Sequence, residues 1–90
     1  MMFAEACEKA MQYFRDKWND IGLCSIQDLG DKWLFNGENS ENKVVYGKQG
    51  ITIDKKTGNI SLFVLPDVNN FKILEGAKNI EIPGKYVVNN

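Results

Sequence analysis

Ninety residues, 43% of them apolar and 26% charged, with a net charge of −1, have the composition of one globular domain. That excludes a second domain, the low-hydrophobicity signature of disorder and a global electrostatic pull toward nucleic acid. No run approaches about 18 apolar residues, and Met1–Ala6 lacks the basic and continuous apolar stretches of a signal peptide. No membrane span is therefore expected, and the cytoplasm is the expected compartment.

Phe3, Cys7, Met11, Phe14 and Trp18, with Ala6 and Ala10 alongside, recur at spacings of three and four and predict one stripe of a helix over Phe3–Trp18. Glu5, Glu8, Lys9, Gln12, Arg15 and Asp16 fill the other face, and Asn19-Asp20-Ile21-Gly22 stops the helix. Gly22–Leu29 reads as a strand with Cys24 and Ile26 on an apolar side. After a turn at Leu29-Gly30-Asp31, Lys32-Trp33-Leu34-Phe35 starts a second strand. The polar run from Asn36 to Asn42 reads as a loop, and Lys43–Tyr46 as a short third strand.

Ile51–Asp54 and Asn59–Leu65 flank a turn in which Gly58 supplies positive φ, and the two runs predict a β-hairpin. With Asp54 paired to Asn59 across four residues, Ile53 faces Ile60, Ile51 faces Leu62, and Val64 extends that apolar face. Thr52 and Ser61 then pair opposite, with Phe63 and Leu65 on the second face. Beyond Pro66, Asn69 or Asn70 caps a short helix through Phe71, Ile73, Leu74 and Ala77. Asn79–Ile82 reads as a last strand or extended segment ended by Pro83, and Tyr86-Val87-Val88 as an apolar stretch before a fraying end. The predicted fold class is α+β: one long N-terminal helix packed on a single, mainly antiparallel sheet of four to five strands, with a short helix near the C-terminus, all within residues 1–90.

Residues that carry chemistry are sparse. Histidine is absent, which removes the usual general base near neutral pH and the commonest metal ligand. Cys7 and Cys24 cannot build a tetrahedral zinc site by themselves, and both read as reduced, buried small apolar side chains, with a disulfide between them as the alternative. Asp54–Asn59 lacks the alternating oxygen ligands of a calcium loop, and Gly47-Lys48-Gln49-Gly50 lacks the Lys-Ser/Thr of a phosphate loop. Glu38, Glu41, Asp54, Asp67, Glu75 and Glu81 read as solvated surface. Trp33, Phe35, Tyr46 and Phe63 have no basic residues clustered among them and read as core rather than a base-stacking platform. No catalytic residue, metal or cofactor is expected, and no nucleic-acid partner.

What remains is a binding face. Phe63, Leu65 and one of Trp33 or Leu34 make an apolar centre on the second face of the sheet, rimmed by Glu38, Glu41 and Asp67, which is the anatomy of a protein interface. The alternative is that the short helix after Pro66, or a homodimer mate, covers those side chains.

The succession of an amphipathic helix, a strand, Asp31-Lys32-Trp33-Leu34-Phe35 and Ile51-Thr52-Ile53-Asp54-Lys55-Lys56-Thr57-Gly58-Asn59-Ile60 resembles the small YrhB-like immunity proteins of bacterial polymorphic-toxin systems. Their domains pass from a helix through a Trp-bearing strand into an I-I-D-x-x-T/S-G-x-I hairpin, and the resemblance covers most of Phe3 to Leu65. It implies a non-enzymatic cytoplasmic protein that binds and occludes a cognate toxin. An acidic-rimmed surface over a basic active cleft would steer association. Phe63 and Leu65 are the expected anchors and Glu38, Glu41 and Asp67 the expected rim. A self-associating structural or regulatory module is the alternative function.

Overall fold

The stripe of small and large apolar residues near the N-terminus folds as α1, Phe3–Trp18, burying Ala6, Cys7, Ala10, Met11 and Phe14. The computed structural model describes residues 1–39, 49–63 and 68–87, excluding the side chains of 68–71. α1 ends because Asn19 takes the left-handed conformation at φ 58°, letting its N–H reach the Arg15 carbonyl while the Asp20 N–H reaches that of Phe14.

Five strands follow: β1 Gly22–Asp28, β2 Lys32–Glu38, β3 Gly50–Asp54, β4 Ile60–Phe63 and β5 Lys78–Asn79. A second helix, α2, spans Val68–Glu75, and a single 3-10 turn spans Gly84–Tyr86. The sheet order is β4-β3-β2-β1-β5 with every ladder antiparallel. This is the expected α+β architecture. Among the described residues, no helix is long and apolar enough to cross a membrane.

The central hairpin has the expected register, with Ile53 opposite Ile60, Thr52 opposite Ser61 and Ile51 opposite Leu62. Its turn is held by Asp54, whose carboxylate accepts the N–H groups of Lys56 and Thr57, both at 2.8 Å. Those amides keep the Asp54 carboxyl below its ordinary range. Gly58, at φ 74°, donates its N–H to the Asp54 carbonyl at 2.8 Å. The turn also ties down the start of α1. Lys9 Nζ donates to the Gly58 carbonyl, and the Met1 amino nitrogen donates to that of Lys55 at 2.8 Å.

Several local expectations change. Asn36-Gly37-Glu38 is strand rather than loop, because β1 supplies backbone partners along its whole length and Asn36 Nδ2 donates to Ser25 Oγ at 3.0 Å. A register shift between Leu23 and Ser25 breaks the alternation of β1. That bulge turns Leu23 and Ile26 both inward and leaves Cys24 exposed, where simple alternation had buried it. α2 starts at Val68, which places Asn69 and Asn70 inside the helix rather than at its cap. β5 is two residues long, and Ile80 continues it only by one bond to the Ile26 carbonyl. The expected strand Lys43–Tyr46 and the continuation of the hairpin through Val64 and Leu65 lie outside the described residues.

The core lies between α1 and one face of the sheet, where Leu23, Ile26, Trp33, Phe35, Ile51 and Ile53 meet the buried side chains of the helix. Phe3 packs edge-on against Trp33 at 5.4 Å. The apolar stretch near the C-terminus is anchored. Tyr86 is buried in the same cluster, and Val87 bridges Leu23 in parallel. Ile80 and Ile82 pack against the cluster, so residues 80–87 form a strap against the core, held to β1 at both ends.

Candidate protein-interaction surface

The second face of the sheet does not carry the expected exposed anchor. Phe63 is only 7% exposed and Leu34 is buried with it. Both line a hollow of about 240 Å³ with Gln27, Asn36, Gln49, Gly50 and Leu74 of α2. Leu74 of the short helix reaches this face, where burying each of the two large apolar side chains stabilises the fold by roughly 1.5–3 kcal/mol. Glu38 ends β2, half-buried opposite Gly22, and its carbonyl accepts the Ile21 N–H at 3.0 Å. It stands two strands away from β4 and two residues beyond the level of Phe63. The remaining expected contributors, Glu41, Leu65 and Asp67, lie outside the described residues.

Exposed apolar surface occurs instead on the core face, at β4. Side chains directly opposite each other in an antiparallel pair share a face. Ile60 and Leu62 therefore point the same way as Ile53 and Ile51. Yet Ile51 and Ile53 are fully buried, whereas Ile60 is 37% and Leu62 56% exposed. The apolar face predicted for the hairpin is therefore core on β3 and open on β4. The cause is lateral: α1 contacts β2 and β3, and the strap packs beside β1. Among the described residues nothing equivalent lies over β4.

The backbone of β4 matches this exposure. Asp54 and Asn59 share a hydrogen bond of 3.0 Å at the hairpin end. Alternation then makes Thr52/Ser61 and Gly50/Phe63 the bonded pairs. The N–H and C=O groups of Ile60 and Leu62 consequently point away from β3, along what is, among the described strands, the outer edge of the sheet. Asn59 to Phe63 contains neither a charge nor a proline, the usual guards on such an edge. Sequence reasoning missed Ile60 and Leu62 because β3 and β4 alternate alike. The one hint was Pro66 closing a short last run.

Polar clusters elsewhere are tied to the fold. On α1, Glu8 accepts hydrogen bonds from Lys85 Nζ at 2.7 Å and from the Tyr86 hydroxyl, latching the strap to the helix. Lys85 first, and then Tyr86, hold the Glu8 carboxyl below its ordinary value of 4.5. A depressed carboxyl favours the folded state above its unfolded value, and that contribution disappears as pH falls through the folded one. Glu8→Gln is thus expected to be destabilising at pH 7, with the gap to the parent narrowing below pH 4.5. Urea midpoints at neutral and acid pH measure it, and a gap independent of pH would refute the latch. Comparing the pair of proteins cancels Asp28 and Asp54, which titrate low in both.

Burial, the largest cause, pushes the Cys7 thiol up to about 11, so it stays protonated and a poor nucleophile at neutral pH. Lys55 pairs with Asp28 at 2.8 Å and lies 5.4 Å over the Trp33 ring. A shallow hollow of about 350 Å³ on the second face holds Asp31, Lys32, Thr52, Asp54, Thr57 and Ser61, but its Asp54 carboxylate is committed to the turn. Among the described residues, no three Asp, Glu, Cys or His side chains gather to hold a metal ion. No family model, curated protein or solved structure matches the chain.

Proposed function

We propose that this chain is a non-enzymatic protein-binding domain, and that it acts in the cytoplasm as an immunity protein occluding a cognate bacterial toxin. The observation that carries the binding reading is the β4 edge. Two exposed aliphatics stand there beside outward-facing backbone donors and acceptors, on the same face that buries Trp33 and Phe35 of β2 and Ile51 and Ile53 of β3. Such an edge binds an extended segment by strand addition. Main-chain bonds supply affinity, and alternate side chains supply selectivity. The carboxylates of Glu8, Asp28 and Asp54 and the thiol of Cys7 are engaged or buried, which supports a scaffold over a reactive centre. The toxin as partner rests on the resemblance of the helix, the Trp33 strand and the Asp54–Gly58 turn to YrhB-like immunity proteins.

Leu62→Lys tests this reading. A lysine in the middle of an added-strand interface leaves a charge desolvated, and the expected loss is at least about tenfold in affinity. Leu62 is exposed, so the variant keeps its fold, which circular dichroism checks. The partner is the product of the adjoining toxin reading frame, and calorimetric titration reads the affinity. Equal binding by parent and folded variant would remove β4 as the site, and no binding by either would remove the toxin.

A further inference from the structure

Beyond partner binding, we infer that two copies of this chain pair β4 to β4 when no partner is present, antiparallel about a two-fold axis through Ser61. The inference rests on the same reading of β4 as a binding edge and adds its resting occupant. The register follows from the outward groups. Because Ile60 and Leu62 carry them, a two-fold axis at Ser61 sets Ile60 of one copy against Leu62 of the other as a bonded pair, twice over. Every outward donor on these residues then meets an acceptor.

Side chains agree with that register. On the core face, Ile60 and Leu62 of both copies form one aliphatic strip, each copy's pair packing beside the aliphatics that the other copy's α1 leaves open. On the second face the axis passes Ser61, small enough for close approach, and Phe63 stands opposite Asn59 of the second copy. Asn59–Phe63 is uncharged, so like charges do not oppose each other along the pairing. A strand whose apolar residues flank a small central one at equal spacing is its own complement.

The test uses the purified protein alone. Ser61 of the two copies forms a non-bonded pair with Cα atoms about 4.5 Å apart, inside the disulfide range of roughly 4.4–6.8 Å. Asn59 of the two copies stands four residues out of register, about 13 Å apart. In a Cys24→Ser background, Ser61→Cys is expected to form a disulfide-linked dimer on mild oxidation, in at least about tenfold greater yield than Asn59→Cys. Sedimentation should show the parent doubling in mass as concentration rises, and Leu62→Lys remaining monomeric. Equal cross-linking at both positions, or a parent that stays monomeric throughout, would overturn the inference. A monomer that still captures the toxin refutes only the pairing, and a dimer that captures no toxin refutes only the immunity reading.

Discussion

Gly37→Ala is expected to destabilise the protein by about 3 kcal/mol, the upper end of what overpacking a core costs. At about 4–8 °C per kcal/mol for a domain of this size, the thermal midpoint should fall by roughly 12–24 °C. A Cβ at Gly37 would lie 2.3 Å from Asp20 Oδ2 and 2.6 and 2.7 Å from two atoms of the Phe14 ring. Neither neighbour can swing into solvent: Phe14 is fully buried and Asp20 nearly so. The backbone allows no retreat either. Phe14 belongs to the last turns of α1, and its carbonyl accepts the Asp20 N–H where the chain leaves Asn19. The clash therefore wedges the helix end from β2. Shrinking the ring should recover part of the loss, so Gly37→Ala with Phe14→Leu should be less destabilised than the two changes summed. Differential scanning calorimetry decides this, and a Gly37→Ala protein within about 0.5 kcal/mol of the parent would refute the close approach.

Phe35→Ala is expected to cost about 3–5 kcal/mol, the toll of deleting a buried ring and leaving its cavity. Small domains hold only about 5–15 kcal/mol in total, so this variant stands near the limit of folding. Phe35 is fully buried on β2, an inner strand of the sheet, in the cluster shared with α1. Leu62→Ala is the informative contrast. Leu62 sits on the same face, one strand beyond Ile51, but is more than half exposed. Its truncation should change stability by no more than about 0.5 kcal/mol at concentrations where the protein is monomeric. Urea unfolding of both variants measures the difference. Similar losses would mean that the helix side of the sheet is evenly covered, and the case for β4 as a binding edge would fall with that result.

The candidate site was legible only in part. Alternation in Ile51–Asp54 and Ile60–Phe63 was enough to define the hairpin register, down to the Asp54–Asn59 pairing. It could not tell which aliphatics are covered, since that depends on where α1 lies across the sheet. Phe63 was expected as an exposed anchor because α2 could not be placed from local pattern. With Leu74 lining the same hollow, Phe63 is buried. Cys24 was expected inside because a bulge leaves no mark in composition: one extra residue between Leu23 and Ser25 reverses the faces.

Local physics settled α1, the turn at Gly58 and the α+β class, because each depends on side-chain spacing or backbone freedom within a few residues. Long-range placement settled the rest. Strand order made β4 an edge, α1 over β2 and β3 left Ile60 and Leu62 uncovered, and Glu8 fastened the Tyr86 strap across 78 positions of chain. Burial is a property of what lies above a side chain, and for this sheet those covering elements come from distant parts of the chain.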